Sequence, residues 1–315
     1  MTDASPDFET DAARDSVTDA RPPLGLLLDV DGPIASPETR SIAVPSIAPD
    51  LAALANAGVP IAFNTGRSDA FLREQVVPPL LEAGLSRDAL VWGVCEKGAV
   101  WMQITADGAG DVTVDEELAM PDVVARDVDD LVKREYSDLV FFDDTKRAMV
   151  SVEQNTNISN ESYLERQGEF DEKVAEILTR HWLGFEREGE KTPDTSGSIR
   201  YRIDPTIIST DIESIRVGKD LGAELVMKFL TDAGVAVPRR WRTLGDSRTD
   251  YAMADWLHER GFDVVHVDVR PNDGVLDKPY PVRHHDSLIH DEAGAEYLAR
   301  WVQMVHGEAS DDADV

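Results

Sequence analysis

The sequence predicts an α/β fold in which a doubly wound parallel sheet forms the core and an α+β module is inserted into it. Toward both ends of the chain, short continuous apolar runs alternate with helical stretches. Such runs are typical of strands buried on both faces, and their alternation with helices indicates a parallel sheet. In the middle of the chain, predicted strands follow one another with only two helices among them, which indicates an antiparallel sheet.

The apolar runs give the predicted core strands, at residues 24–28, 59–63, 89–94, 241–244 and 264–269. The predicted core helices lie between them, at residues 47–56, 69–83, 221–233 and 250–260. A glycine stands at or just after the end of each helical stretch, where a helix C-terminus favours positive φ. These glycines are Gly58, Gly84, Gly234 and Gly261.

The inserted module is predicted to contain strands at residues 101–105, 111–114, 139–142, 148–153 and 199–203, and helices at 121–135 and 161–181. The chain is accordingly divided into a core of residues 23–103 and 212–305 and an inserted module of residues 104–211. Residues 1–22 and 306–315 are rich in Asp, Ser and Ala, and we expect them to be disordered acidic tails.

Charge and composition exclude several classes of partner. The chain has 61 acidic and 31 basic residues and a formal charge of −30, a field that repels nucleic acids and anionic membranes. No stretch approaches the roughly 20 apolar residues needed to cross a bilayer, and the N-terminus lacks the apolar run of an export signal. Its single cysteine, Cys95, excludes an intrachain disulfide. We expect a cytoplasmic protein with a small-molecule partner, whose oligomeric state the sequence does not indicate.

Two aspartates follow the first predicted strand. Asp29 and Asp31 stand at the point where the buried run 24–28 ends, and Gly32-Pro33 then turns the chain. In open α/β sheets, ligands bind at the carboxyl ends of the strands. Once the chain turns, one carboxylate can face a phosphorus atom while the other reaches the leaving oxygen, the division of labour of a covalent phosphotransfer. Two solvated aspartates at a strand exit are the alternative.

Polar residues also follow two other predicted strands. Thr65 precedes Gly66 and a helix start, so its hydroxyl can bind a phosphate oxygen alongside backbone N–H groups, or serve as a plain helix cap. Asp246 and Asp250 follow the strand at 241–244 and can point toward one spot, or belong to a capped helix. Acids gathered at one sheet edge repel one another without a cation, and carboxylates suit Mg²⁺. The pattern therefore predicts a magnesium site.

These motifs together resemble those of the haloacid dehalogenase superfamily of phosphohydrolases. The family motifs are an Asp-x-Asp-Gly strand end, a Thr/Ser strand end, a lysine and a Gly-Asp-x-x-x-Asp loop, and all four occur here in that order. The lysine that matches is Lys219, ahead of a predicted helix. The resemblance covers roughly residues 24–100 and 212–300 and implies the Rossmann-like core of that family, with the inserted module as its cap.

The insertion is similar to the larger α/β cap of the subgroup that contains sucrose-phosphate phosphatase, phosphomannomutase and the Cof-type sugar phosphatases. The turn at residues 96–99, Glu-Lys-Gly-Ala, matches the Glu-Asn-Gly-Ala turn of that subgroup with Lys97 in place of Asn. Residues 146–150 resemble a cap strand of phosphomannomutases. The chain departs from the family at Pro33, usually Thr, and at Thr249, often Asn.

The resemblance implies a mechanism. Asp29 would attack phosphorus to give an aspartyl-phosphate, Asp31 would protonate the leaving alcohol and then activate water, and Thr65 and Lys219 would hold the phosphate. Mg²⁺ would be bound by Asp29, the main-chain carbonyl of Asp31 and Asp246, with Asp250 as a ligand or a support.

Substrate contacts are expected in the cap and in the loop after Thr65. The candidates are basic residues, with Arg200 and Arg202 alternating on one predicted strand face, together with the loop glycine: Gly66, Arg67, Lys146, Arg147, Arg200 and Arg202. The leading hypothesis is a phosphatase for a small phosphorylated metabolite, a sugar phosphate. A phosphosugar mutase using the same aspartyl-phosphate is the second hypothesis, and a non-catalytic carbohydrate-binding or regulatory protein is the third.

Overall fold

The computed structural model describes residues 22–307, which form two β-sheets with helices packed against them. The acidic tails predicted at the two ends lie outside this range, apart from Pro22, His306 and Gly307. Within residues 22–307, no helix combines the length and the apolar character that a membrane span requires.

The strands are, in chain order, β1 (Gly25–Leu28), β2 (Ile61–Asn64), β3 (Val91–Cys95), β4 (Val100–Thr105), β5 (Gly108–Ala109), β6 (Thr113–Val114), β7 (Val140–Phe142), β8 (Val150–Gln154), β9 (Phe185–Arg187), β10 (Glu190–Thr192), β11 (Tyr201–Pro205), β12 (Ser209–Ser214), β13 (Arg240–Gly245), β14 (Asp263–Asp268) and β15 (Val282–Arg283). The helices are α1 (Ile47–Asn56), α2 (Asp69–Phe71), α3 (Val77–Glu82), α4 (Asp122–Leu131), α5 (Asn160–Arg180), α6 (Lys219–Asp232), α7 (Tyr251–Glu259) and α8 (His290–Val305). π-helical turns at Leu72–Val76 and Val132–Tyr136 extend α2 into α3 and continue α4.

The first sheet is the parallel core. Its strand order is β15-β14-β13-β1-β2-β3-β4-β5, with β6 on β4, and the strands from β15 to β3 are parallel neighbours. Successive residues of β1 point to opposite faces: Leu26 and Leu28 pack with α1 and α8, whereas Leu27 packs with α6 and α7. Burial on both faces explains why β1 is apolar throughout. The predicted doubly wound core is confirmed.

The second sheet belongs to the cap and has the order β10-β9-β11-β12-β8-β7. Its neighbours are antiparallel except for β9 and β11. One face packs on α4 and α5 through residues such as Val150, Val152 and Ile212. The residues between them, Ser151 and Asp211, therefore face the other way, toward the core sheet.

The sheets divide the chain somewhat differently from the predicted boundaries at 104 and 211. β4, β5 and β6 pair within the core sheet, and the apolar core of the cap starts at Met120. At the other end, β12 belongs to the cap sheet as far as Ser214. The strands predicted at residues 101–105 and 111–114 therefore extend the core sheet as an antiparallel edge beside β3.

Glu96 fastens the cap to the core. It follows β3, its side chain is buried, and its two carboxylate oxygens accept hydrogen bonds of 2.8–2.9 Å from the backbone N–H groups of Arg147, Ala148 and Met149. Two side-chain contacts lie beside it: Arg147 pairs with Asp69 at 2.5 Å, and the Thr145 hydroxyl donates to Ser68 at 2.7 Å. The segment that leads into β8 is thus held on the core.

A buried acid in the cap gives a stability prediction. Asp171 on α5 accepts a 2.7 Å hydrogen bond from the Thr210 hydroxyl, and burial raises its pKa from 3.8 to about 6. A carboxyl whose pKa is raised by folding stabilises the protein fully only below its unfolded pKa, and this contribution is lost as the pH rises through its folded pKa. Asp171→Asn should therefore raise the free energy of unfolding at pH 7.5 by about 2 kcal/mol.

Urea unfolding of wild type and variant between pH 3.5 and 7.5 checks this prediction. The difference between them should shrink steadily as the pH falls below 6 and be smallest at pH 3.5, because Asp171 is then neutral in the folded chain and mostly neutral in the unfolded chain. Glu172→Gln is the matched control, since Glu172 is exposed and pairs with Arg187 at the surface, and it should change stability by less than about 0.5 kcal/mol. A variant no more stable than wild type at pH 7.5 would contradict the account.

Candidate active site

Three neighbouring strands of the core sheet deliver polar residues to one edge. Asp29 follows β1, Thr65 follows β2 and Asp246 follows β13. β1 pairs with β2 on one side and β13 on the other, so these three residues leave the sheet side by side. The chain continues from β1 to β2 in one direction and reaches β13 in the other, which makes this edge the topological switch point where α/β sheets bind ligands.

Lys219 joins the strand ends electrostatically. The first residue of α6, it places its ammonium 2.6 Å from Asp29 Oδ1 and 2.5 Å from Asp250 Oδ1. All three side chains are buried. The structure thus brings Lys219, Asp29 and Asp250 together at one point, although 190 positions separate Lys219 from Asp29.

The shared charge displaces the pKa values of all three groups. Burial raises the pKa of Asp29 well above its ordinary value, and the negative charge of Asp250 adds to this. Burial opposes ionisation of Asp250 as well, but the charge of Lys219 and its hydrogen bonds hold the pKa of Asp250 below its ordinary value. The two carboxylates in turn raise the pKa of Lys219, against the effect of burial. Lys219 is thus an ammonium at neutral pH.

Asn64, the last residue of β2, positions Lys219 from both sides. Its backbone carbonyl accepts from the Lys219 ammonium at 2.8 Å, and its side-chain amide donates to the Lys219 carbonyl at 2.8 Å. A Cβ at Gly222, one turn into α6, would lie 2.2 Å from Asn64 Oδ1. The glycine therefore lets the helix approach close enough for Asn64 to reach Lys219. Sequence reasoning missed Asn64, for which a polar residue ending an apolar strand was the available signal.

The acids at this edge form a donor set for a cation. Asp29, Asp246 and Asp250 each offer one carboxylate oxygen, and these atoms lie within 4.8 Å of one another. Burial and the nearby charge of Asp250 raise the pKa of Asp246 to about 6. Carboxylate oxygens at this density fit a hard divalent cation, which would offset their mutual repulsion.

Both carboxylate oxygens of Asp250 contact other groups of the protein. Its Oδ2 accepts from the backbone N–H groups of Asp246 (3.2 Å) and Ser247 (3.0 Å) and from the Ser247 hydroxyl (2.8 Å), while Oδ1 pairs with Lys219. These contacts hold the loop after β13 in place.

Gly32 packs closely against Asp246 from the other side. Gly32 has a φ of +93°, and a Cβ there would lie 2.8 Å from the Asp246 carboxylate. Asp246 is therefore positioned from two sides.

Asp31 lies at the mouth of the site, bound to Arg67. The guanidinium donates three hydrogen bonds of 2.8–3.0 Å to its two carboxylate oxygens, and the Asp31 side chain is 40% exposed. Arg67 belongs to the loop after β2, where its N–H donates to the Thr65 hydroxyl at 3.1 Å. Thr65 is fully buried, and the next residue, Gly66, uses its carbonyl to accept from the Lys146 ammonium at 2.6 Å.

A cavity of about 350 Å³ lies between this edge and the cap sheet. The core contributes Asp31, Gly32, Pro37, Arg40, Gly66, Arg67 and Asp246 to its lining, and the cap contributes Lys146, Ser151, Glu153, Thr206, Ile208, Ser209 and Asp211. Glu153 spans the two parts, 3.6 Å from both Arg40 and Arg67.

The predicted substrate contacts divide into two groups. Gly66, Arg67 and Lys146 line the cavity. Arg147 instead pairs with Asp69, and Arg202 pairs with Glu213 and the carbonyl of Val217, while Arg200 is exposed beside the Tyr201 ring. All three side chains lie outside the lining, and carboxylates of the protein engage the guanidinium groups of Arg147 and Arg202. Sequence spacing could not reveal those partners.

The chain was compared with protein-family models, with curated proteins and with solved structures. No family model matches, and no curated protein matches. Among solved structures, the C-terminal domain of C. albicans trehalose-6-phosphate phosphatase superposes with a TM-score of 0.59 at 14% identity, covering 92% of this chain and 94% of that one. A Thermoplasma acidophilum protein gives a TM-score of 0.51 at 12% identity, covering 88% and 97%.

Plasmodium falciparum IMP-nucleotidase gives a TM-score of 0.50 at 10% identity, over 91% of this chain and 62% of that one. At these identities the likeness concerns the fold. The architecture expected from the resemblance to the haloacid dehalogenase superfamily, a Rossmann-like core with an inserted cap, is thereby confirmed.

Proposed function

We propose that this chain is a Mg²⁺-dependent phosphomonoester hydrolase that acts through an aspartyl-phosphate on Asp29. One observation carries the proposal: a buried carboxylate, Asp29, is held by the Lys219 ammonium beside two further acids, at the switch point of the sheet and next to a cavity between core and cap. A nucleophile, a fixed cation and a metal donor set in one place are the components that phosphoryl transfer requires. The fold shared with a trehalose-6-phosphate phosphatase domain supports it.

The chemistry proceeds in two displacements. A carboxylate oxygen of Asp29 attacks phosphorus, the bond from phosphorus to the alcohol oxygen breaks, and Asp31 gives that oxygen a proton. Asp31 then takes a proton from water, which attacks phosphorus and releases Asp29 and inorganic phosphate. Lys219 and Thr65 offset and orient the charge of the transferring group. Asp31 must leave its bidentate pair with Arg67 to reach the leaving oxygen, which frees that guanidinium for the substrate.

The resemblance to the haloacid dehalogenase superfamily implies Asp29, Asp246 and the main-chain carbonyl of Asp31 as the metal ligands, and the carboxylates of Asp29 and Asp246 lie close together. Asp250 acts as a support, since Lys219 and the loop after β13 engage both of its oxygens. When bound, Mg²⁺ supplies positive charge to the phosphoryl oxygens.

The cavity supports a sugar phosphate as the substrate. A volume of about 350 Å³ suits a small metabolite. Its cap wall carries the hydroxyl groups of Ser151, Thr206 and Ser209, and none of the lining residues within the described range 22–307 has an aromatic side chain on which a nucleobase could stack. The structurally similar C. albicans domain is a phosphatase for a sugar phosphate, whereas the P. falciparum protein acts on a nucleotide. The lining favours the first type of substrate.

A screen of phosphosugars and nucleoside monophosphates with Mg²⁺ tests the function directly, with free phosphate as the readout. We expect release from at least one sugar monophosphate. Conversion of that ester into an isomer without free phosphate would identify a mutase instead. No reaction with any ester, including p-nitrophenyl phosphate, would favour a non-catalytic carbohydrate-binding role.

Substitution of the nucleophile is the first mechanistic prediction. Asp29→Asn should reduce kcat by at least about 10⁴-fold, because removing the covalent route leaves only binding and electrostatic assistance. Circular dichroism should confirm that the variant folds, since Asn keeps the shape of Asp29. Asp220→Asn is the control, an exposed acid on the same helix as Lys219, and it should retain wild-type turnover. Wild-type activity in the Asp29 variant would refute the assignment.

Metal dependence is the second mechanistic prediction. EDTA should abolish activity, and added Mg²⁺ should restore it. Asp246→Asn should raise the Mg²⁺ concentration at half-maximal activity by about 10- to 100-fold, because it removes a ligand that the structure holds in place. Isothermal titration with Mg²⁺ provides a second measure of the same loss. Full activity in EDTA, or an unchanged Mg²⁺ requirement in the variant, contradicts the metal assignment.

A further inference from the structure

The cap wall of the cavity carries the carboxylates of Glu153 and Asp211 among hydroxyl groups. The core wall carries the guanidinium groups of Arg40 and Arg67 together with the carboxylates of Asp31 and Asp246. Lys146 is the basic residue that the cap adds to the lining, and its ammonium is turned to the core, where it donates to the Gly66 carbonyl. The part of a ligand that reaches the cap therefore meets oxygen acceptors.

Asp211 is held in a defined orientation in this wall. Strand alternation turns it away from the apolar core of the cap, and its side chain is only 13% exposed. Ser151 donates its hydroxyl to Oδ1 at 2.7 Å, and the Lys97 ammonium contacts Oδ2 at 3.4 Å. A carboxylate can accept about four hydrogen bonds, so each oxygen keeps capacity for a ligand donor.

Lys97 connects Asp211 to the loop after β2, which begins at Thr65. It lies in a left-handed turn, at a φ of +56°, and its backbone N–H donates to the Thr65 carbonyl at 2.9 Å. Its ammonium reaches into the cap sheet and contacts Glu213 at 2.8 Å and Asp204 at 3.3 Å as well as Asp211. Although burial lowers the pKa of Lys97, Glu213 and Asp211 raise it above its ordinary value, so the cation persists.

We propose that Asp211 is a specificity-determining residue that accepts hydroxyl hydrogens from the alcohol half of the substrate, and that Lys97 is its positioning residue. The substrate class is then a monophosphate ester of a neutral, hydroxyl-rich alcohol. A second phosphate on that alcohol would face Asp211 and Glu153 and be repelled. This inference rests on the proposed phosphatase function and deepens it, and it also disfavours a mutase, whose sugar must carry two phosphates at once.

The test is the ratio of kcat/KM for the best sugar monophosphate of the screen to kcat/KM for glucose 1,6-bisphosphate. Wild type should favour the monophosphate by at least about tenfold. Asp211→Asn removes both an acceptor and a repelling charge, so this ratio should fall by about tenfold or more. Lys97→Met should also change the ratio, because Asp211 loses a contact that orients it, and Lys97→Arg should restore the ratio to within about threefold of wild type.

Asp204→Asn is the matched control. Asp204 contacts the same ammonium but is absent from the cavity lining, and its side chain is 44% exposed. Its substitution should leave the ratio unchanged. A structural role for Lys97 would lower the melting temperature and both rates together without moving the ratio. If Lys97→Met does not fold, the comparison of the Asp211 and Asp204 variants carries the test.

Each result has a distinct meaning. Equal use of mono- and bisphosphate by wild type, or equal ratios in the Asp211 and Asp204 variants, overturns the specificity proposal while p-nitrophenyl phosphate hydrolysis upholds the phosphatase. Failure of wild type to release phosphate from any ester, including p-nitrophenyl phosphate, overturns the proposed function and this inference with it.

Discussion

The ammonium of Lys219 is the interaction on which the site depends. Two buried carboxylates, Asp29 and Asp250, share it at 2.6 and 2.5 Å, and neither could remain ionised in the protein interior without such a partner. Breaking a buried pair of this kind typically costs about 3–5 kcal/mol, because the remaining charges are left uncompensated. The close packing of α6 on β2 at Gly222 is thus part of the electrostatics of the site, since it sets where the ammonium lies.

Side chains alternate between the two faces of a strand in the cap as in the core, but the resulting sequence pattern differs. In β1 both faces meet apolar helices, so every residue is apolar. In β8 and β12 one face covers helices and the other covers the cavity, so apolar and polar residues alternate. The core side of the cavity is therefore built from strand ends, and the cap side from a strand face. These two surfaces face each other across the cavity.

Much of this was predictable from the sequence, for reasons that differ by region. The acids and Thr65 were found because parallel strands are apolar until they end, so a polar residue after such a run marks the sheet edge. β12 escaped prediction because its cavity face is polar, which breaks the apolar signal and displaced the predicted cap boundary. The outcomes for Arg147 and Arg202 depended on Asp69 and Glu213, partners distant along the chain or across a strand pair, and periodicity carries no information about such pairs.

The attachment of the cap through Glu96 has an evolutionary consequence. Its carboxylate grips main-chain N–H groups at residues 147–149, and every amino acid except proline supplies that group. The three hydrogen bonds to Glu96 therefore do not depend on the side chains at these positions, and the Arg147 side chain adds its own pair with Asp69. The cap residues that line the cavity lie outside residues 147–149, so replacements there can change what the cap presents to a ligand while its attachment to the core stays the same.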